Sequence, residues 1–278
     1  MSRLGRQARA RLSYGTLALA LALAATPARA EDFWLEFQPL QPAPGSELAV
    51  SLWLGKNFIP EAQHAMQQAR TVALRHITSN ADVDLLPLTH DGVTPLLRLH
   101  LAKPGGHLVS LERDVTRVQL RARKFNRYLA DEGLLAPIAD RKQAGEQWSR
   151  GRERYTRYVK AFVQVGELAD SVSTRVLGQR LELVPDRQLT GLKTGDKLGV
   201  RVLFDGRPLA NTQVEAFTRS PAGSHTLGQP TSDGAGRVEF SIAEPGTVLL
   251  RTVHMQRCVG CDDAQWESFW AAYSFAVH

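Results

Sequence analysis

Apolar and polar residues alternate along many short stretches of this chain, and turn-forming residues separate the stretches. In the clearest one, Ser46–Leu54, every second residue is apolar (Leu48, Val50, Leu52 and Leu54). This period of two predicts a β-strand with one buried face. Similar runs cover residues 71–77, 83–88, 96–101, 107–112 and 115–120, with Asp-Gly and Pro-Gly turns between several of them. Short strands at this spacing are typical of a β-sandwich.

The pattern changes to helical spacing near the middle of the chain. Phe125, Tyr128 and Leu129 recur at intervals of three and four within residues 124–135, and residues 138–148 form a second, more polar candidate helix. Alternation resumes at about residue 157. We therefore predict a small helical insertion at about residues 122–150.

A second series of short strands follows Pro185. Its runs cover residues 197–204, 213–218, 237–242, 247–254 and 269–277, with turns such as Asp205-Gly206 and Pro245-Gly246. The predicted fold is mainly β, with two immunoglobulin-like β-sandwich domains. Residues 31–185 form the first, which carries the helical insertion, and residues 186–278 form the second.

Residues 1–30 have the three parts of a secretory signal peptide. A basic start is followed by a Leu/Ala stretch over residues 17–25 and by the small-residue cleavage motif Ala28-Arg29-Ala30. The apolar stretch of about nine residues is too short to span a bilayer, which needs roughly 20. We predict cleavage before Glu31 and export to the periplasm. An uncleaved membrane anchor is the alternative.

Removal of this segment lowers the net positive charge of the chain. Residues 1–30 hold five arginines and no acid, so 29 of the 34 Lys and Arg residues remain against 28 Asp and Glu. A nucleic-acid-binding protein needs a large positive surface, so we expect no nucleic-acid partner. No later segment has the length and apolar character of a membrane span. The 43% hydrophobic and 22% charged residues exclude a disordered chain.

Several motifs together resemble the bacterial secreted family called domain of unknown function 4198. They are Asp32–Glu36, Lys124–Leu134, Arg152–Ala161, Leu181–Pro185, Val253–Met255, Trp266–Ser268 and Trp270. The resemblance implies two β-rich domains and a metal-handling role linked to nickel and cobalt uptake. Residues 205–253 are also similar to prealbumin-like and carboxypeptidase-regulatory-like modules. Neither resemblance implies an enzyme.

The resemblance also suggests metal-ligating residues. His254 lies in a family-like motif at the end of a predicted strand, and Glu31 would supply its amine and carboxylate after cleavage. Family members often carry His at the position of Glu31, and a carboxylate is a harder ligand that suits nickel less well. Glu31 is thus expected to be a poorer ligand than His for the transition metal that the family implies, such as nickel or cobalt.

The two cysteines form the single motif Cys258-Val259-Gly260-Cys261. In an exported chain such a pair is typical of a disulfide. Metal ligation together with His254 and redox chemistry are the alternatives, although a closed zinc site needs four ligands. The basic run Arg150–Arg157 is either a solvated face or a site for an anion or acidic partner.

The rest of the sequence contains few residues that indicate a metal site or a catalytic site. His76, His100 and His107 would form a cluster only if the strands brought them together, and no Gly-x-Ser-x-Gly motif is present. We therefore predict a non-enzymatic, exported binding or accessory protein for transition-metal uptake. Its expected partner is a metal transporter or an outer-membrane receptor. The alternative is a non-catalytic structural or interaction module of the cell envelope.

Overall fold

The computed structural model describes residues 32–277, which form seventeen β-strands and two α-helices. The helices are α1 (Ala122–Asp131) and α2 (Leu135–Gln143). The strands are β1 (Asp32–Gln38), β2 (Glu47–Lys56), β3 (Ile59–Gln63), β4 (Thr71–Ile77), β5 (Asp82–Asp84), β6 (Leu97–His100), β7 (Gly105–Arg113), β8 (Thr116–Leu120), β9 (Gly151–Val165), β10 (Leu181–Pro185), β11 (Lys197–Phe204), β12 (Arg207–Pro208), β13 (Val214–Ser220), β14 (Gly223–Gly228), β15 (Arg237–Ser241), β16 (Gly246–Arg257) and β17 (Trp266–Val277). The predicted signal peptide, Glu31 and His278 lie outside the described residues.

The strands form three sheets. The central sheet has nine strands in the order β14-β13-β16-β17-β9-β7-β4-β5, with β8 also paired to β9. The first outer sheet contains β1, β2, β3 and β6, and the second contains β10, β11, β12 and β15. Strands β9 and β17 pair in parallel over residues 153–162 and 266–275. This pairing joins strands from the two halves of the chain into one sheet.

Both faces of the central sheet are buried, because its side chains alternate between two cores. On β9, Val159 and Ala161 pack with the first outer sheet, whereas Tyr158 and Phe162 pack with the second. Successive residues of a strand point to opposite faces, so one strand serves both cores. The result is two β-sandwiches that share their middle sheet. The predicted mainly β fold with two sandwiches is confirmed; the boundary between residues 185 and 186 stays a prediction.

The helical insertion is present and lies between β8 and β9. Phe125 and Leu129 of α1 are buried against Val253, Met255 and Trp266 at the end of the β16–β17 hairpin. Helix α1 ends four residues earlier than the helical spacing predicts, and Gly133 then adopts a left-handed φ of 65°. Glycine takes this conformation without steric cost, so it stops the helix there. None of the helices in residues 32–277 has the length and apolar character needed to cross a bilayer.

A buried charge cluster ties the insertion to the sheets. The guanidinium of Arg251, on β16, lies 3.0 Å from Asp32, 2.8 Å from Glu132 and 2.8 Å from Glu215. These carboxylates belong to β1, the end of α1 and β13. The cluster therefore joins the first outer sheet, the insertion and the central sheet through a single cation.

A second buried ion pair links the central sheet to the second outer sheet. The ammonium group of Lys160, on β9, lies 2.9 Å from a carboxylate oxygen of Glu182 on β10, and the two side chains are only 2% and 1% exposed. The Glu182 carboxylate also accepts hydrogen bonds from the backbone N–H groups of Leu177 and Gly178. The Glu182 carboxylate is therefore stabilised by one buried cation and by two backbone N–H groups.

Candidate functional site

A pocket of about 230 Å³ lies where the first outer sheet meets the central sheet. Its walls come from five parts of the chain between residues 33 and 157. The lining residues are Phe33, Leu54, His64, Gln67, Arg70, Arg113, Asp114, Thr116, Tyr155 and Arg157. Among the described lining residues, three carry a guanidinium group and one carries a carboxylate, so this lining is positively charged. We call it the arginine pocket.

Hydrogen bonds hold two of these guanidinium groups in place. Arg113, the last residue of β7, donates to the hydroxyl of Thr71 at 3.0 Å and to the side-chain oxygen of Gln67 at 2.8 Å. Arg70 donates to the hydroxyl of Thr116 at 2.6 Å. Fixed guanidinium groups bind an anion with less loss of side-chain entropy than mobile ones do.

Aromatic rings hold the third guanidinium group, that of Arg157, in place. The guanidinium carbon of Arg157 lies 4.7 Å from the ring centre of Phe33, 5.4 Å from that of Tyr155 and 5.8 Å from that of Trp270. Tyr155 and Arg157 are two residues apart on β9, so both side chains emerge on the face toward the first outer sheet. The cation is thereby fixed by three rings, each of which attracts it through its π-electrons.

The pKa of Arg113 reflects its burial and the positive charges of its neighbours. Burial, together with the neighbouring Arg70 and Arg157, lowers the pKa of Arg113 to about 10. The guanidinium is nevertheless still charged at neutral pH, and like charges nearby make its protonated form less stable. An anion in the pocket would relieve this repulsion.

A neighbouring depression of about 190 Å³ provides a contrast, although it shares Arg113 and Asp114 with the arginine pocket. Its charged lining residues are Glu112, Arg113, Asp114, Arg154, Arg180 and Glu267. Three carboxylates balance three guanidinium groups there. The excess of positive charge in the described lining of the arginine pocket is thus absent from this neighbouring depression.

The predicted metal ligand His254 lies elsewhere, on β16. Its ring centre is 4.5 Å from that of Phe204. Burial and the nearby Arg180 lower the pKa of His254, while Asp205 and Glu267 act in the opposite direction. Within residues 32–277, no group of three or more His, Cys, Asp or Glu side chains is arranged to hold a metal ion. Glu31 lies outside these residues, so both ligand assignments stay predictions.

The cysteines are joined to each other. Cys258 and Cys261 form a disulfide with their Cα atoms 5.6 Å apart. The backbone N–H of Cys258 donates to the carbonyl of Gln265 at 2.9 Å, so the bridge lies in the loop between β16 and β17. This is the disulfide expected for an exported chain.

Two of the three histidines considered together do meet. The Nε2 atom of His76, on β4, lies 2.9 Å from the Nδ1 atom of His107 on the adjacent β7. His100 is on β6 in the first outer sheet. The two rings share one hydrogen bond, and burial lowers the pKa of His76 to about 4.

Sequence reasoning identified only part of the arginine pocket. Arg157 belongs to the basic run for which an anion site was one interpretation, and Tyr155 lies in the same run. His64, Arg70 and Arg113 carried no recognisable signal. They stand at the ends of strands or in turns, far apart along the chain, and no regular spacing links them.

Taken together, these features define a mainly β, double-sandwich protein with a positively charged pocket between two of its sheets. The chain belongs to the family described as Domain of unknown function (DUF4198), whose family model matches residues 28–256. Among curated proteins, none matches this chain.

Two solved structures are remotely similar. The D0-D1 domain of intimin shares 12% identity, with 88% of this chain and 97% of that chain covered and a TM-score of 0.19. The three N-terminal domains of the Highly Immunogenic Outer Capsid protein (Hoc) of bacteriophage RB49 share 7% identity, with 89% and 71% covered and a TM-score of 0.21. At these scores neither likeness bears on the function of this chain.

Proposed function

We propose that the protein is an exported, non-catalytic binding protein that holds a small anionic ligand in the arginine pocket. The observation that carries the proposal is the convergence of Arg70, Arg113 and Arg157 on one space of about 230 Å³, whose described lining includes one carboxylate, that of Asp114. Guanidinium groups present several N–H donors in a plane, which suits the oxygen pairs of carboxylates and phosphates. The predicted signal peptide and the disulfide support a location in the periplasm.

Arg113 is the residue on which this function is best tested. We expect Arg113→Gln to weaken binding of citrate or inorganic phosphate by about tenfold or more, since a charged hydrogen bond contributes about 1.5–3 kcal/mol. Isothermal titration calorimetry of the mature chain measures the change. Arg98→Gln is the matched control, because Arg98 is 60% exposed, makes only a 3.9 Å contact with Glu47 and does not line the pocket. Its affinity should stay within about twofold of the wild type. If neither anion binds more tightly than millimolar, the proposal is contradicted.

Transition-metal uptake is the second candidate. It is supported by membership of the family, through the nickel and cobalt link that the resemblance implies, and by the predicted export. His254 would be the first ligand, with the amine and carboxylate of Glu31 next. A metal transporter or an outer-membrane receptor would be the partner.

Direct titration tests the metal hypothesis. If it is correct, nickel, cobalt, copper or zinc binds the mature chain more tightly than millimolar in calorimetry, and His254→Ala weakens that binding. His90→Ala, which changes an exposed histidine directly before the Asp91-Gly92 turn, is the control. If none of the four metals binds, the metal hypothesis is contradicted. The proposal of an anion site in the arginine pocket does not depend on this result.

An interaction module of the cell envelope is the third candidate. Among the described strands, β14 pairs only with β13, so its outer edge presents backbone groups to which another strand could be added. Trp148, after α2, is 82% exposed. These features favour a protein partner, and such a partner is compatible with a ligand in the arginine pocket. The likeness of residues 205–253 to prealbumin-like modules stays a prediction and carries no function.

A further inference from the structure

The hydrogen bonding of His64 determines what its ring offers to a ligand. The Nδ1 atom lies 2.8 Å from the backbone carbonyl oxygen of Ala65. A carbonyl oxygen only accepts hydrogen bonds, so Nδ1 carries the hydrogen. In the neutral ring Nε2 then has a lone pair and no hydrogen. It accepts a hydrogen bond and donates none.

Burial and the neighbouring positive charges favour the neutral form of the His64 imidazole in the unoccupied pocket. Burial lowers its pKa below the usual value of 6.5, and the charges of Arg113 and Arg157 lower it further. The backbone bond to Ala65 opposes this shift without reversing it. A lining with three guanidinium donors thus includes one imidazole acceptor.

The rest of the lining gives the size and character of the ligand. Phe33, Leu54 and Tyr155 add apolar surface to the pocket. Water occupies about 30 Å³ per molecule in the liquid, so a space of about 230 Å³ corresponds to roughly eight waters. Such a space holds an organic acid of several carbon atoms and is larger than a bare inorganic ion requires.

We propose that the ligand of the arginine pocket is a hydroxycarboxylate, whose carboxylates contact the arginines and whose hydroxyl donates a hydrogen bond to Nε2 of His64. This inference rests on the proposed function. An anion without a donor would place its own lone pairs against that of Nε2, or would leave the imidazole unpaired. Sites that hydrogen-bond a ligand hydroxyl discriminate strongly against the analogue that lacks it. His64 is thereby the residue that determines specificity, and the arginines provide the affinity.

Matched ligand pairs test this inference. Citrate differs from tricarballylate, and malate from succinate, by one hydroxyl group. In calorimetry at pH 7.5, with metals removed by a chelating resin, the wild-type chain should bind the hydroxy acid of each pair about tenfold or more tightly. His64→Leu should reduce this preference to within about twofold and leave the affinity for tricarballylate unchanged or slightly higher. His90→Leu is the control and should keep the preference.

The possible failures are distinguishable. Equal binding of the hydroxy and deoxy acids by the wild type would overturn the inference and leave the anion site standing. A preference that survives in His64→Leu would overturn the assignment to His64. If none of the four acids binds more tightly than millimolar but inorganic phosphate does, the inference fails and the anion site stands. If inorganic phosphate also fails to bind, the proposed function fails with the inference. His64→Gln, whose amide oxygen is also an acceptor, should recover part of the preference and so separates loss of the acceptor from a change of shape.

Discussion

Replacing Arg251 with methionine is expected to destabilise the protein by about 3–5 kcal/mol at neutral pH. Arg251 is only 14% exposed and is within hydrogen-bond distance of Asp32, Glu132 and Glu215. Methionine fills much of the same volume but has no charge. Three buried carboxylates then repel one another without a cation between them, and Glu132 and Glu215 have each lost a hydrogen-bond donor.

The loss should depend on pH in a defined direction. Burial already raises the pKa of Glu132, and Arg251 opposes that rise. Without Arg251 the folded-state pKa of Glu132 rises further above its value in the unfolded chain, so the folded state binds more protons between the two values. Stability then falls as pH increases through that window, which begins near the ordinary value of 4.5. Arg251→Met should therefore be less destabilising at pH 5 than at pH 8.

Urea unfolding of the wild type and the variant at pH 5 and pH 8 measures both effects. Arg257→Met is a matched control, because Arg257 also contacts two carboxylates, Asp140 and Glu146, but is 33% exposed. It should cost about 1 kcal/mol or less, with little difference between the two pH values. An equal loss for Arg251→Met at pH 5 and pH 8 would show that the carboxylates are not its source.

Lys160→Met is the second change with a large expected effect, again about 3–5 kcal/mol. The ammonium group is 2.9 Å from Glu182, and both side chains are almost fully buried. It also lies 4.9 Å from the ring centre of Tyr273. Removing it leaves the Glu182 carboxylate charged in a place with little water. The backbone donors of Leu177 and Gly178 compensate that charge only in part.

A double variant separates the lost charge from a change in packing. Lys160→Met with Glu182→Gln removes both charges and keeps one amide oxygen, which accepts from Leu177 or from Gly178 but not from both, because these donors use different oxygens of Glu182. It should regain about half or more of the stability lost in Lys160→Met, as a double-mutant cycle by urea unfolding would show. Lys197→Met removes an exposed partner of Glu239 and should cost about 1 kcal/mol or less. If the double variant is no more stable than the single one, packing rather than charge explains the loss.

Several family-like motifs meet at one buried point. Glu153 of β9 accepts hydrogen bonds from the hydroxyl of Tyr128, at 3.0 Å, and from the hydroxyl of Ser268. Burial raises the pKa of Glu153 to about 7. Tyr128 also stacks on Trp270, with ring centres 6.1 Å apart. These residues lie in three separate motifs, so their common role in joining the insertion to the sheet is visible only in the folded chain.

The sequence by itself determined most of the strands, the helical insertion and the class of fold, although it did not indicate β3 or β14. The alternation in residues 46–54 corresponds to β2, Glu47–Lys56, because a half-buried strand needs an apolar residue at every second position. Such a pattern depends only on neighbouring residues and can be read without knowing the fold. The expected disulfide is equally local, since its two cysteines are three residues apart.

Only the tertiary structure decided which distant residues meet. The parallel pairing of β9 with β17 places the two halves of the chain in one sheet, and no local pattern indicates that register. The pairing of β7 with β9 and the packing of the first outer sheet on the central sheet bring Arg113, Arg157 and His64 to one pocket. Three carboxylates from separate parts of the chain likewise meet at Arg251. Local hydrophobic periodicity specifies which face of a strand is buried, but charged groups converge only when the order and register of the strands are set by the packing of both cores.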